Sequence, residues 1–150
     1  MFSNAQLDVI NFCAEEVTRQ HDSPKAVGWM LNAWNLASAL SEPKPQKLTV
    51  HIIEELGKLV SPYINVYGLR TCFVQIGNSL PPAPALVYGL LVDFVKNIPK
   101  DPASAYKAFE EIHPFRDGNG RVGKIIFNWL NETLDNPRFP PNFWGNISNP

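Results

Sequence analysis

Apolar residues recur at three- and four-residue intervals in one segment of this chain after another, and proline or a capping residue stands at almost every boundary. That period lines the apolar side chains along one stripe of a helix, so the pattern commits the chain to short amphipathic helices sharing a core. Leu7, Ile10, Cys13, Ala14 and Val17 predict a first helix from Ala5 to about Gln20. Ser23-Pro24 reads as an N-cap with proline at the first helical position, and Val27, Met30, Leu31, Trp34, Ala37 and Leu40 carry a second helix to about Ser41. The proline-broken connector SEPKPQK follows, and Thr49 then caps a third helix with Ile52, Ile53, Leu56, Leu59 and Val60, which Ser61-Pro62 stops.

Behind PPAPA, residues 81–85, a fourth stripe runs through Leu86, Leu90, Leu91, Phe94 and Val95. Asp101-Pro102 caps a helix bearing Ala105, Phe109 and Ile112, and Pro114 disfavours helical backbone at His113. A last helix is expected after the glycines, with Val122, Ile125, Ile126, Trp129, Leu130 and Leu134 on one face, and the tail from Asn136 packs back as irregular structure. Only TCFVQIGN, residues 71–78, alternates in the manner of a strand; with turns at Gly68 and Gly77-Asn78 it predicts a short β-hairpin or flap. The fold class is therefore all-α with one short hairpin.

At 150 residues the chain has the size of a single domain, and no repeat or low-complexity tract divides it. A net charge of −1 with 18% charged residues gives no basic surplus for nucleic acid. No stretch approaches the roughly 20 apolar residues of a membrane span, and the N-terminus lacks the charged and apolar regions of a secretion signal. Cys13 and Cys72 match no metal or redox spacing and read as two reduced thiols. The expected location is the cytoplasm. Trp34, Trp129 and Trp144 read as core packing, and Arg116 and Lys124 have a surface reading beside any functional one.

Chemistry is concentrated in His113-Pro114-Phe115-Arg116-Asp117-Gly118-Asn119-Gly120-Arg121, set between the end of one helix and the start of the next. Free N–H groups at a helix start, behind a loop whose glycines allow close approach, form an anion site that suits a phosphate chain. Arg121 adds a planar donor fork, and Asp117 a hard oxygen ligand for the Mg²⁺ that accompanies nucleotide phosphates. His113, with an ordinary pKa of about 6.5, suits a general base acting on a hydroxyl. Asp117 and Asn119 also fit as turn residues, and Gly118 and Gly120 as positive-φ positions. An EF-hand reading of DGNG fails, because it would put Phe115 and Ile126 at ligand positions.

The run resembles the signature of the Fic family: histidine, any residue, phenylalanine, any residue, aspartate or glutamate, then glycine, asparagine, glycine and arginine. The resemblance implies an AMP transferase that moves AMP from ATP to a serine, threonine or tyrosine hydroxyl of a target protein. It implies His113 as base, Phe115 as the loop's anchor in the core, Asp117 as the Mg²⁺ ligand, and Gly118, Asn119, Gly120 and Arg121 as phosphate contacts. It extends over roughly residues 48–141, with Gly68-Leu69-Arg70-Thr71 and Val74-Gln75-Ile76-Gly77-Asn78 similar to the family's flap. Phe73, Val74, Gln75 and Ile76 would then clamp the target by strand pairing. Residues 1–47 read as an N-terminal helical extension packed on a core of residues 48–150.

Lys124 departs from the pattern, standing where active members carry a second arginine that contacts the outer phosphates; lysine keeps the charge and loses the bidentate fork. The inhibitory-helix pattern of repressed members has its nearest match in Ser38 to Glu42, with Pro43 in place of the final glycine or asparagine. Glu42 is thus the candidate inhibitory residue, and an antitoxin-like partner on another chain is the alternative. A silent nucleotide- or protein-binding module, and a transferase using another donor, remain open beside AMP transfer. Phosphate-transferring relatives tend to carry lysine at the position of Gly120.

Overall fold

The structure, a computed structural model, describes residues 1–42 and 46–144, and among these the regular elements are six helices. They are α1 (Asn4–Arg19), α2 (Lys25–Ser41), α3 (Val50–Val60), α4 (Pro84–Lys96), α5 (Pro102–Ile112) and α6 (Asn119–Leu130). The capping chemistry sets their starts. Ser3 and Gln6 close a reciprocal capping box at α1, while Thr49 Oγ1 accepts from Ile52 N at 3.1 Å and Asp101 Oδ2 from Ser104 N at 3.2 Å. Pro24 stands immediately before α2, with Ser23 Oγ accepting from Lys25 N at 3.2 Å.

Helix α6 is the axis of the fold: every residue from Asn119 to Trp129 is buried. α2, α3 and α5 pack around it, α1 lies on α2, and α4 lies on α3 and α5. One apolar cluster runs from Phe12, Cys13 and Val17 of α1 through Met30 and Trp34 of α2 to Ile125, Ile126 and Trp129 of α6. α1 and α2 therefore bury their stripes in the same core as the later helices. Cys13 is buried, Cys72 is exposed, and both are free thiols.

Several local expectations need correction. The 71–78 segment forms no strand; its pairing is one isolated bridge, Ile76 to Ser79, closed by Ile76 N to Ser79 O at 3.0 Å and Ser79 N to Ile76 O at 2.8 Å. The next pair in that register would set Val74 against Pro81, and Pro81 and Pro82 have no N–H to extend the ladder. Helix α6 starts between the two glycines rather than behind them, with Gly118 as N-cap at φ 78°. It ends at Leu130, so Leu134 lies outside it, beyond Glu132 at φ 57° and a turn in which Thr133 N donates to Asn128 O at 2.9 Å. Trp34 and Trp129 are buried, whereas Trp144 is half-buried against Tyr106.

The tail does fold back, with Phe139 stacked on Phe12 at 4.3 Å between ring centroids and Arg138 N donating to Asn128 Oδ1 at 2.8 Å. Residues 43–45 of the expected connector and residues 145–150 of the tail lie outside the described residues. Among the described residues no helix is long and apolar enough to cross a membrane.

Phe115 is fully buried, and a methyl group on Gly57 of α3 would overlap its ring. Gly57→Ala should therefore overpack the joint between α3 and the loop before α6, costing about 1–3 kcal/mol. A urea midpoint equal to wild type would show that Phe115 is not wedged there.

Candidate active site

The loop between α5 and α6 begins with a strained residue. His113 is the C-cap of α5 in the left-handed region, φ 51° and ψ 62°, a conformation uncommon for a residue other than glycine. Its side chain is 9% exposed, and Nδ1 is buried without a hydrogen-bond partner. Burial, reinforced by the nearby Arg70 charge and opposed by a backbone contact to Glu110, pulls its pKa from 6.5 down to about 4. The imidazole is neutral at pH 7, the form a general base requires.

Asn119 spends its side chain inside the loop: Oδ1 accepts from Phe115 N and Nδ2 donates to Phe115 O, both at 2.8 Å. That ring of bonds presents the start of α6 toward a cleft of about 230 Å³ lined by His113, Asp117, Gly118, Gly120, Arg121 and Ile76, together with Gln20 and Asp22 from behind α1. No side chain caps the first turn of α6. Its N–H groups and dipole are thus available to an anion. At Gly118 a Cβ would come within 2.6 Å of Val60 Cγ1, on a backbone that already favours glycine, which accounts for this residue type.

Asp117 is fixed by residues outside the loop. Ser61 Oγ donates to Asp117 Oδ2 at 2.6 Å and Arg121 Nη2 donates to the same oxygen at 3.2 Å, while Oδ1 has no partner among the described residues. Asn65, 2% exposed, donates to Asp117 O at 2.7 Å and Gly57 O at 3.0 Å, and accepts from Asp117 N at 3.3 Å. Arg121 is 3% exposed, and its Nη1 lies 2.9 Å from Asp22 Oδ2 in an ionic contact that leaves this nitrogen without an aligned hydrogen bond. A buried guanidinium with an unmade bond beside an uncapped helix start favours an anion.

Lys124 sits elsewhere. It is fully buried and outside the cleft lining, with Nζ 2.9 Å from Glu16 Oε2 of α1 and 3.3 Å from the Tyr106 hydroxyl, to which it donates. The surface reading of Lys124 is therefore overturned, since its ammonium faces Glu16 in the interior; Arg116 is exposed. Glu110, also buried and unpartnered at both oxygens, is pushed well above the carboxylate range by burial, against the favourable charge of Lys124. A methyl at Gly123 would overlap the Glu110 carboxyl, so this glycine leaves room for it.

Glu42 is the exposed C-cap of α2 and lies outside the cleft. The acids that meet the cations of α6 are Glu16, Asp22 and Asp117. In the flap, Phe73 is exposed, Val74 half-buried and Gln75 exposed, with Gln75 Nε2 donating to Gly77 O at 2.9 Å; of the four expected flap residues Ile76 lines the cleft. Sequence reasoning missed Glu16, Asp22, Ser61 and Asn65. Glu16 carried a signal, since it falls on the buried stripe of α1 between Cys13 and Val17, where a carboxylate needs a partner.

Among the described residues, six helices thus gather a histidine, a glycine-rich loop and an arginine about one helix start. The family model described as Fic/DOC family matches residues 39–131, from the end of α2 through α6, and the chain belongs to that family. Members of it are commonly transferases. A search of curated proteins finds no match.

Two measurements check this geometry. Glu16→Gln strips the fully buried Lys124 of its carboxylate and should cost about 3 kcal/mol in urea unfolding, while Glu16→Leu with Lys124→Met recovers most of the loss. An unchanged midpoint in the single variant would show that Glu110 takes over as counterion. The folded pKa of His113 lies below its unfolded value of 6.5, so below that pH the unfolded chain takes up a proton that the folded chain refuses. This contribution to stability is full above pH 6.5 and is lost as pH falls from there toward about 4. The His113 ring resonances should stay flat down to about pH 5.5, and a midpoint near 6.5 would contradict its burial.

Proposed function

We propose that this Fic-family protein is an adenylyltransferase that moves AMP from ATP to a hydroxyl side chain of a target protein. The observation that carries the reading is the meeting, in one cleft, of a neutral His113, an uncapped helix start and the buried Arg121 with its unmade hydrogen bond. His113 accepts the hydroxyl proton of the target, whose oxygen attacks the α-phosphorus of ATP. The bond from that phosphorus to the bridging oxygen breaks, and pyrophosphate leaves. The N–H groups at Gly118 to Gly120 and the guanidinium of Arg121 stabilise the negative charge on the phosphate oxygens.

Asp117 fits a Mg²⁺ carried by the nucleotide: one carboxylate oxygen is fixed by Ser61 and Arg121, and the other has no partner among the described residues. Such an ion needs only one or two protein carboxylates beside the phosphates, and among the described residues no cluster of three ligand side chains forms. When bound, Mg²⁺ neutralises charge on the phosphates and the departing pyrophosphate. The adjacent cavity of about 620 Å³ between the flap and α5, which shares Ile76 with the cleft and is lined by Trp144 and Glu110, has room for the nucleoside. Ile76 belongs to the segment that would pair with an extended stretch of the target.

One observation favours a second reading, a nucleotide- or protein-binding module without transfer: Lys124 is sealed beneath Glu16, and Arg121 lies against Asp22 and Asp117. Incubation with Mg²⁺, α-labelled ATP and cell lysate, beside the His113→Ala variant, separates the two. Transfer should drop by about 10²-fold or more in the variant. Equal labelling by both proteins would remove His113 as base, and ATP binding without labelling by the wild type would favour the module.

A further inference from the structure

Arg70 stands outside the loop, on the segment that leads into the flap, and is 4% exposed. Among the described residues its guanidinium bonds backbone carbonyls only. Nε donates to His113 O at 2.6 Å, Nη2 to Ile112 O at 3.4 Å and Pro82 O at 2.6 Å, and Nη1 to Cys72 O at 3.0 Å. Its backbone N donates to Pro114 O at 2.9 Å. The side chain therefore bonds both ends of the flap, residues 72 and 82, and both residues at the end of α5.

Each bond answers a specific need. The carbonyls of Ile112 and His113 are the unsatisfied end of α5, where the helix dipole favours a cation. His113 is left-handed, a conformation that persists only when its surroundings impose it. The flap has one bridge of its own, too little to fix its position by sheet pairing. A planar fork can span these groups together, which the point charge of lysine cannot.

We propose that Arg70 is a positioning residue, which sets the flap in register with His113 so that a hydroxyl presented along the flap arrives at the imidazole. The inference rests on the transferase reading above. In that chemistry a displacement of about 1 Å between hydroxyl and base costs about 100-fold in rate. The nucleotide contacts at Gly118 to Arg121 do not involve Arg70, so nucleotide affinity and transfer should separate.

The test compares wild type with Arg70→Lys, which keeps the charge, and Arg70→Gln, which keeps two donors without it. Binding of Mg·ATP is followed by calorimetry, exchange of the flap amides by mass spectrometry, and labelling of lysate proteins from α-labelled ATP. Both variants should bind Mg·ATP within about twofold of wild type. Flap amides should exchange at least about tenfold faster with α1 to α3 unchanged, and labelling should fall by about 100-fold. Labelling at the wild-type rate from a loosened flap overturns the proposal, as does a flap that stays protected in both variants. Equal loss of ATP binding and transfer overturns it too, since that marks a purely structural residue. Absence of Mg·ATP binding in the wild type itself would instead bring down the transferase reading and, with it, the role assigned to Arg70.

Discussion

The burial of α6 on all sides is the constraint on which the structure turns. A helix in that position has no solvent face, so each polar residue it carries must find a partner inside the protein. Asn128 meets this demand with its own helix and the returning tail, donating to Lys124 O at 2.8 Å and Arg138 O at 3.0 Å. Lys124 meets it with Glu16, and Arg121 in part with Asp117 and Asp22. Only the first turn of the helix escapes, and it opens into the cleft. The same burial that stabilises the domain thus delivers one end of a dipole to a defined place.

The N-terminal helices follow from this. α1 and the loop behind it supply two of the carboxylates that face the cations of α6, Glu16 and Asp22, although the family match begins only at residue 39. Charge complementarity and shared apolar packing tie the segment ahead of the match to the helix that carries the motif. Asp117 is similarly governed from a distance, because Ser61 and Asn65 at the end of α3 fix both its carboxylate and its backbone.

The helices were legible in the sequence because their signals are local. Apolar stripes, Thr49, Asp101 and the prolines fix existence and, except at the C-terminal end of α6, limits to within a residue or two. The glycine-rich loop was legible as a unit, since the identity of nine adjacent residues carries it. What the sequence hid was pairing across the chain. Nothing local to Lys124 says that its ammonium turns inward to a glutamate more than a hundred positions earlier, and nothing local to Asp117 says that Ser61 and Asn65, over fifty positions earlier, hold it. The strand expectation failed for a related reason: alternation records a preference for extended backbone, whereas a ladder needs donors on the opposite side, and Pro81 and Pro82 remove them.

Those two prolines give the flap a handedness of use. One side, residues 72–76, keeps its amide hydrogens, while the other is interrupted at two successive positions. Two copies of this protein meeting flap to flap could not zip into a continuous ribbon along the proline side, whatever their concentration. An open edge, normally a hazard for aggregation, is thereby limited to the few residues ahead of Gly77.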